Sequence, residues 1–124
     1  MGDTGEVRTR NEATGGEKGV KLARMDLLPP DSLMHAATHF GRGAQKYADR
    51  NWELGYEWSK SYGALLRHLM LWWDGEDTDE DESFGAFHHL DAVLFHALVL
   101  RRFAADHPDL DDRPNGPNGQ NVRP

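Results

Sequence analysis

The sequence predicts an all-α protein. Three segments in the middle of the 124-residue chain carry apolar side chains at helical spacing, and no apolar–polar alternation longer than four residues competes with them. The chain has no cysteine, which excludes disulfides, thiolate chemistry and Cys-based zinc sites. A chain of this length is expected to form a single domain.

Both ends of the chain are poor in apolar side chains. Residues 1–17 contain no aromatic residue, and residues 106–124 are dominated by Pro, Asn, Gly and Asp. Neither end can bury enough surface to offset the entropy lost on ordering. We therefore expect a disordered N-terminal tail, an all-α domain over residues 18–105 and a disordered C-terminal tail.

The first predicted helix follows Pro29 and Pro30 and continues to residue 48. Its apolar positions are Leu33, Ala36, Ala37, Phe40, Ala44 and Tyr47. On the opposite side, His35 and His39 have the i, i+4 spacing of a metal-binding pair, but cationic residues continue along the same face. We interpret this side as a solvated face.

The second predicted helix begins after Ser59 or Ser61 and ends at Gly75. It has the clearest apolar pattern in the chain, and the pattern predicts burial of Leu65, Leu66, Leu69, Trp72 and Trp73.

The third predicted helix extends from about Ser83 to Ala105 and is apolar on almost every side. Such a helix must be covered on every side, and two other helices of this size are not enough. We therefore expect a homo-oligomer in which the second and third helices of two subunits share a four-helix core, as a dimer or a dimer of dimers.

The distribution of charge limits the possible partners. The net charge is −7, and residues 61–124 carry five basic and twelve acidic side chains. This balance disfavours nucleic-acid binding, which normally requires a basic surface. The apolar stretches are too short for a membrane span, and the polar N-terminus does not resemble a signal peptide. We expect a cytoplasmic protein that binds neither nucleic acid nor membrane.

The turn between the second and third helices is strongly acidic. Residues 74–82, the acidic turn, contain seven carboxylates. They form either a solvated loop or a cation site, because carboxylates this close repel one another unless a cation neutralises them.

His88 and Asp91 follow the acidic turn at i, i+3 on an apolar helix. One interpretation is that the two side chains hydrogen-bond to each other, and another is that Asp91 forms an ion pair with Arg67. Near the acidic turn they instead indicate a metal site that is rich in oxygen ligands. The predicted ligands of Mg²⁺ or Mn²⁺ are Glu76, Asp79, Glu82, His88 and Asp91.

Residues 46–55, the basic–aromatic segment, combine side chains that suit a nucleotide. Lys46 and Arg50 can bind phosphates, Tyr47 and Trp52 can stack on a base, and Asn51 can bind a base edge. Ordinary loop packing explains the two aromatic residues equally well. Together with the acidic turn, this segment suits a metal-bound polyphosphate.

Several strings of the sequence resemble the MazZ-type phage dATP/dGTP diphosphohydrolases, which are similar to the all-α MazG/HisE-like NTP pyrophosphatases. The resemblance covers residues 18 to about 103. The strings are Lys21-Leu-Ala-Arg24-Met-Asp26, Lys46-Tyr47-Ala-Asp-Arg50-Asn51-Trp52, Arg67-His68-Leu, Gly75-Glu76-Asp77-Thr-Asp79, and Glu82-Ser83 followed by His88.

The resemblance implies a MazG/HisE-like helical bundle completed by oligomerisation. It also implies hydrolysis of dGTP and dATP between the α and β phosphates to dNMP and pyrophosphate, with two or more Mg²⁺ or Mn²⁺ ions per site. In phages that replace adenine by 2-aminoadenine, such an enzyme supplies dGMP. The alternative function is a non-catalytic helical oligomer that binds divalent metal.

The resemblance also implies roles for individual residues. Glu82 accepts a proton, Lys46 and Arg50 stabilise the leaving pyrophosphate together with Lys21 and Arg24, and the base is held by Tyr47, Asn51 and Trp52. The family pattern is modified here, because MazG-like enzymes bind metal through Glu-x-x-Glu and Glu-x-x-Asp pairs, and the second pair reads His88-x-x-Asp91.

Overall fold

The computed structural model describes residues 6–81 and 85–119. In chain order its elements are β1 (Glu6–Arg10), β2 (Glu17–Lys21), α1 (Pro30–Lys46), α2 (Trp58–Trp73), β3 (Thr78–Asp81), β4 (Gly85–His88) and α3 (His89–Asp106), with 3₁₀ turns at Met25–Leu27, Asn51–Leu54 and Pro108–Leu110. The three predicted helices are present. The expectation of an all-α chain needs correction, because the described residues also contain two β-hairpins.

The hairpin β3–β4 replaces part of the predicted acidic turn and the predicted start of the third helix. Its antiparallel register pairs Thr78 with His88 and Asp79 with Phe87. The helix begins at His89 and not near residue 83, because the ring of His88 accepts a hydrogen bond of 3.0 Å from the N–H of Leu90 and caps the helix. Strands made of acidic residues have no apolar alternation and therefore escape a hydrophobicity pattern.

The chain divides into two compact units, residues 1–30 and 31–124. The first unit contains the hairpin β1–β2, which begins within the segment for which composition predicts disorder. All residues of β1 are exposed. A two-stranded hairpin without a buried face is marginally stable by itself, so the mobility of this segment stays a prediction.

The second unit is organised around the antiparallel contact of α2 with α3. Buried apolar side chains on α3 include Ala92, Val99 and Phe103. The predicted burial of Leu66, Leu69 and Trp73 is wrong, because these side chains are exposed, Trp73 by 82%. The buried residues of α2 are Ser61 and His68. Helix α2 thus directs these two polar side chains towards α3, where His68 contacts His89 and Ser61 contacts His96.

Helix α1 packs on α3 and β4 through aromatic rings. The rings of Phe40 and Phe95 are 4.6 Å apart, and those of His39 and Phe87 are 5.0 Å apart. The interpretation of His39 as part of a solvated face is therefore wrong, whereas His35 is exposed. A half-buried imidazole can pack edge-on against phenyl rings. Helical spacing alone does not distinguish such a position from a solvent-exposed one.

Residues 107–119, in the segment for which composition also predicts disorder, return to the start of α2. The indole N–H of Trp58 donates to the carbonyl of His107 over 3.1 Å, and the N–H of Ser59 donates to Oδ1 of Asp112 over 2.8 Å. Asp111 is buried beside Arg113, whose guanidinium lowers the pKa of this carboxyl. Polar contacts of this kind are not visible in composition. Within the described ranges, no helix has the length and apolar character needed to cross a bilayer.

Candidate functional site

A pair of buried histidines connects α2 to α3 beside the acidic turn. His68 belongs to α2 and His89 begins α3, and their Nδ1 atoms are 2.8 Å apart. His89 is fully buried and His68 is 4% exposed. The other ring nitrogen of His89 is 2.9 Å from Oε2 of Glu76. One hydrogen-bonded series therefore connects both helices with the acidic turn.

A neighbouring arginine fixes the direction of these hydrogen bonds. A guanidinium can only donate, and Nη2 of Arg67 is 3.2 Å from Nε2 of His68, which must accept. His68 therefore carries its proton on Nδ1 and donates it to His89, which in turn donates from Nε2 to Glu76. Burial, then the charge of Arg67, lowers the pKa of His68 to about 4 and keeps the ring neutral at pH 7.

Glu76 reaches the histidine pair because of the way α2 ends. Gly75 has a φ of 102°, in the left-handed region that favours glycine. Its N–H donates to the carbonyl of Trp72, and the N–H of Glu76 donates to the carbonyl of Leu71, each over 3.0 Å. These two bonds form a Schellman motif, which reverses the chain directly after the helix. The reversal turns Glu76 back towards the helix pair.

The register of β3–β4 directs Asp79 into the same cluster. Asp79 pairs with Phe87, so both side chains are on one face of the hairpin. The Phe87 and His68 rings are 5.7 Å apart, and Oδ2 of Asp79 is 3.8 Å from Nδ1 of His68 and 3.4 Å from Nη1 of Arg67. The Asp79 side chain is 29% exposed, against 53% for Glu76. Asp79 is the more enclosed of the two carboxylates.

The donor atoms of this cluster fit a divalent cation. Nitrogen atoms of His68 and His89 and a carboxylate oxygen of Asp79 lie within 4.8 Å of one another. Imidazole favours transition-metal ions, whereas carboxylates also suit Mg²⁺ and Mn²⁺. The mixed set fits Mn²⁺ better than Mg²⁺. A cation held there would replace the hydrogen bond between the rings. His68 would then carry its proton on Nε2, so Arg67 would have to leave both His68 and Asp79.

The predicted metal ligands have different positions. The structure brings Glu76 and Asp79 together around the histidine pair. His88 is on the other face of the hairpin, where its Nδ1 caps α3. Asp91 is half-buried in the first turn of α3, and its side chain makes no hydrogen bond or ion pair with the residues that the structure describes. Glu82 lies outside the described residues.

A cavity of about 790 Å³ opens between α1, the basic–aromatic segment, the start of α2 and the middle of α3. It is lined by four of the residues that the sequence predicts to bind a nucleotide, namely Tyr47, Arg50, Asn51 and Trp52. Lys46 does not line this cavity, and its ammonium group lies 5.6 Å from the centre of the Tyr47 ring. A cavity of this size accommodates a nucleoside.

Local backbone geometry shapes the cavity wall. Arg50 adopts a left-handed conformation with a φ of 57°, which is unusual for a residue other than glycine and more frequent at functional sites. The following 3₁₀ turn directs Trp52 inwards, with its ring 6.0 Å from Phe40 and 6.3 Å from Phe103. The indole is therefore half-buried.

His96 lies between the cavity and the histidine–carboxylate cluster. Its ring lines the cavity and is stacked on the ring of His68, with centres 6.3 Å apart. Burial lowers the pKa of His96 to about 4, so it too is neutral at pH 7. The cavity and the cluster are thus separated by one pair of stacked rings.

Lys21 and Arg24 belong to the first unit. Nζ of Lys21 is 3.4 Å from Oε2 of Glu6, and Arg24 makes a bidentate hydrogen bond with Asp26 over 2.8 and 2.7 Å. The ion pairs of these two residues are therefore made within their own unit.

Sequence reasoning assigned no role to His68, His89 or His96. A usable signal was present for His68, because Ser61, Leu65, His68 and Trp72 share one face of α2 at i, i+4, i+7 and i+11. Polar residues on the face that packs against another helix indicate a buried network. His89 and His96 could have been found only by knowing which helix faces are apposed.

Comparison with family models relates the chain to nucleotide hydrolysis. The model described as "dATP/dGTP diphosphohydrolase, N-terminal" matches residues 12–113. No match is found among curated proteins or solved structures. Because the match covers most of the chain, the chain belongs to the dATP/dGTP diphosphohydrolase family and is an enzyme of the nucleoside triphosphate pyrophosphohydrolase class.

Proposed function

We propose that the protein hydrolyses the purine deoxynucleotides dGTP and dATP between the α and β phosphates, giving dNMP and pyrophosphate in a reaction that requires a divalent metal. Family membership supports the reaction class. The observation that carries the proposal is the single pair of stacked rings, His96 and His68, that separates a nucleoside-sized cavity from an imidazole–carboxylate cluster.

The cavity is assigned to the nucleoside. Trp52 and Tyr47 supply aromatic faces for stacking, and the Asn51 amide supplies hydrogen bonds for a base edge. Arg50 is directed to the phosphates, where its guanidinium can bind two oxygens at once. Lys46 and Arg50 then stabilise the charge that develops on the leaving pyrophosphate. Lys21 and Arg24 remain proposed phosphate ligands. To bind the substrate, they would have to leave their ion-pair partners Glu6 and Asp26.

The histidine–carboxylate cluster is assigned to the metal. His68, His89 and Asp79 are the proposed ligands of Mn²⁺ or Mg²⁺. Glu76, which accepts a hydrogen bond from Nε2 of His89, stays a ligand candidate from the sequence. A divalent ion neutralises phosphate charge and polarises the bond that breaks. The cluster offers ligands for one ion, and the remaining carboxylates of the acidic turn with the substrate phosphates serve a second. Glu82 stays the proposed proton acceptor, and Asp91 and His88 stay sequence-based candidates.

The proposed assembly is a MazG/HisE-like bundle completed by a second copy of the chain. One side of α2 carries exposed apolar residues at helical spacing, namely Tyr62, Leu66, Leu69, Met70 and Trp73. Leu94 and Leu98 of α3 are also exposed, by 40% and 52%. Apolar surface of this extent supports the shared helical core. Light scattering on the purified protein gives its mass, and a monomer at every concentration contradicts this assembly.

The proposed cellular role follows from the resemblance to phage enzymes. It supplies dGMP for the synthesis of DNA that contains 2-aminoadenine while it removes dATP, and it acts in the cytoplasm of the host.

The decisive experiment is an assay of product identity. The protein is incubated with dGTP, dATP, dCTP or TTP and with Mn²⁺, Mg²⁺ or EDTA, and the products are separated by anion exchange. We expect dGMP or dAMP with pyrophosphate, only when metal is present. Nucleoside diphosphate with orthophosphate contradicts the cleavage position. Metal uptake measured by calorimetry without any turnover supports the alternative, a non-catalytic metal-binding oligomer.

A further inference from the structure

A buried hydrogen-bonded chain crosses the wall of the cavity. The hydroxyl of Tyr56 is 2.6 Å from Oγ of Ser61, and Oγ of Ser61 is 3.0 Å from Nδ1 of His96. Ser61 is fully buried, whereas Tyr56 and His96 both line the cavity. The hydrogen-bonded chain therefore has a buried centre and two ends that line the cavity.

The second ring nitrogen of His96, Nε2, is available to bind a ligand. Nδ1 is engaged by Ser61, and the structure shows no hydrogen bond to Nε2 from residues 6–81 or 85–119. An uncharged imidazole has a single N–H proton, so when one ring nitrogen is the donor the other is an acceptor. The hydrogen bond with Ser61 thus determines what Nε2 offers to the cavity.

Two arrangements of protons satisfy the chain. In the first, Tyr56 donates to Ser61, Ser61 donates to Nδ1 of His96, and Nε2–H is a donor. In the second, Nδ1–H donates to Ser61, Ser61 donates to the Tyr56 oxygen, and Nε2 is an acceptor. Both contain the same three protons and no net charge, and exchange with cavity water moves the ring proton from one nitrogen to the other. Hydroxyl groups permit both directions because each can donate and accept.

The reversible chain matches the difference between the two purines. At position 6, guanine carries an oxygen that accepts hydrogen bonds, and adenine carries an amino group that donates them. We propose that Nε2 of His96 binds this position in both substrates, as a donor to guanine and as an acceptor from adenine, and that Tyr56 and Ser61 set its state. This inference rests on the proposed function, because it requires a purine in the cavity.

The proposal makes an asymmetric prediction for Tyr56→Phe. In the first arrangement, which binds guanine, Ser61 still donates to His96 and loses only the hydrogen bond that it accepted from Tyr56. In the second arrangement, which binds adenine, the buried Ser61 hydroxyl has lost its acceptor, and a buried donor without an acceptor is costly. We expect the Kd for dATP to rise roughly tenfold and the Kd for dGTP to change by less than about threefold.

The binding titration is carried out without metal on the full chain, with wild type, Tyr56→Phe and the control Tyr62→Phe. The Tyr62 side chain does not line the cavity, and phenylalanine keeps its apolar ring. The ligands are dATP, dGTP and purine deoxyriboside triphosphate, which has only hydrogen at position 6. Tyr62→Phe should leave all three constants unchanged. The purine analogue should bind wild type more weakly than dATP and should be insensitive to Tyr56→Phe.

A second variant tests the centre of the chain. Ser61→Ala disconnects His96 from Tyr56, so we expect both nucleotides to bind more weakly by similar factors, with no new preference. Circular dichroism checks that each variant is folded. If Ser61→Ala does not fold, Tyr56→Phe alone tests the proposal.

The inference is overturned if Tyr56→Phe weakens dATP and dGTP equally, or if the unsubstituted purine binds wild type as well as dATP. It is also overturned if wild type binds neither nucleotide. If wild type binds both nucleotides and Tyr56→Phe shows the expected asymmetry, but neither nucleotide is cleaved, the proposed function is contradicted. The assignment of His96 to position 6 of the purine is then kept.

Discussion

The cavity and the histidine–carboxylate cluster are neighbours in space but are built in different ways. The predicted residues of the cavity wall follow one another between Tyr47 and Trp52. The cluster draws His68 from the middle of one helix, His89 from the start of another and Asp79 from a hairpin between them. A continuous segment presents its chemistry in the sequence itself, whereas a composite cluster exists only once the helices are packed.

The two regions also differ in their electrostatics. The cavity offers a guanidinium, an amide and aromatic faces, which suit a nucleotide's base and phosphates. The cluster combines neutral imidazoles with carboxylates, which suits a cation. A change of pH and single substitutions separate the contributions of the cavity and the cluster.

Acidification should destabilise both regions at once. The pKa values of His68 and His96 are lowered from 6.5 to about 4 in the folded protein, so between these values the unfolded chain binds more protons. The contribution of the two rings to the free energy of unfolding is fully present above about pH 6.5 and is lost as the pH falls towards 4. Each pKa unit corresponds to about 1.4 kcal/mol, so each ring contributes at most about 3 kcal/mol.

The measurement is urea unfolding between pH 7 and 4. His96→Gln removes the contribution from the cavity side and should reduce the pH dependence by about half, leaving that of His68. An unfolding free energy that does not change over this range would mean that the two rings are not buried as neutral groups.

Asp79→Asn tests the cluster. It removes one charge without changing the size of the side chain, and we expect kcat/KM to fall at least about 100-fold, since metal-stabilised charge is worth several kcal/mol. The folded state should lose less than about 1 kcal/mol, because the ion pair of Asp79 with Arg67 is partly exposed.

Asp109→Asn is the matched control for Asp79→Asn. It makes the same chemical change at an exposed position of the 3₁₀ turn Pro108–Leu110, so we expect kcat/KM to stay within about threefold. Asp91→Asn tests the sequence-based ligand set in the same assay. We expect it to abolish turnover, and full activity would remove Asp91 from that set.

Arg50→Ala tests the cavity. Loss of one phosphate contact should raise the KM for dGTP about tenfold, which is ~1.4 kcal/mol, with a smaller change in kcat. Arg101→Ala, an exposed arginine on α3 that does not line the cavity, is the control and should leave KM unchanged. An effect on kcat alone would place Arg50 in transition-state stabilisation without ground-state binding.

Gly75→Ala tests the turn that positions Glu76. A Cβ at this glycine meets no neighbouring atom, but its φ of 102° is unfavourable for alanine, so we expect a loss of about 1 kcal/mol. Gly63→Ala is the control, because this glycine is inside α2 with open space around it and alanine should stabilise the helix by about 0.5–1 kcal/mol. Equal effects at both positions would contradict the role of the Schellman motif.

Much of the fold could be predicted because helix signals are local. Apolar spacing and the proline and glycine boundaries identified the three helices, and Gly75 lies two residues beyond the end of α2. The hairpin β3–β4 could not be predicted, because charged strands carry no apolar alternation. The start of α3 was placed too early, because the signal for it is a cap from the His88 side chain and not a change in hydrophobicity.

The sequence by itself determined the helices and the basic–aromatic segment, whose string also carries the resemblance to the family, since these depend on neighbours along the chain. Only the tertiary structure decided that His68 and His89 form a pair, that Asp79 joins them and His88 does not, and that Tyr56, Ser61 and His96 form one hydrogen-bonded chain. The physical reason is that these contacts depend on which faces of α2, α3 and the hairpin oppose one another, and this is fixed by packing between segments distant in sequence.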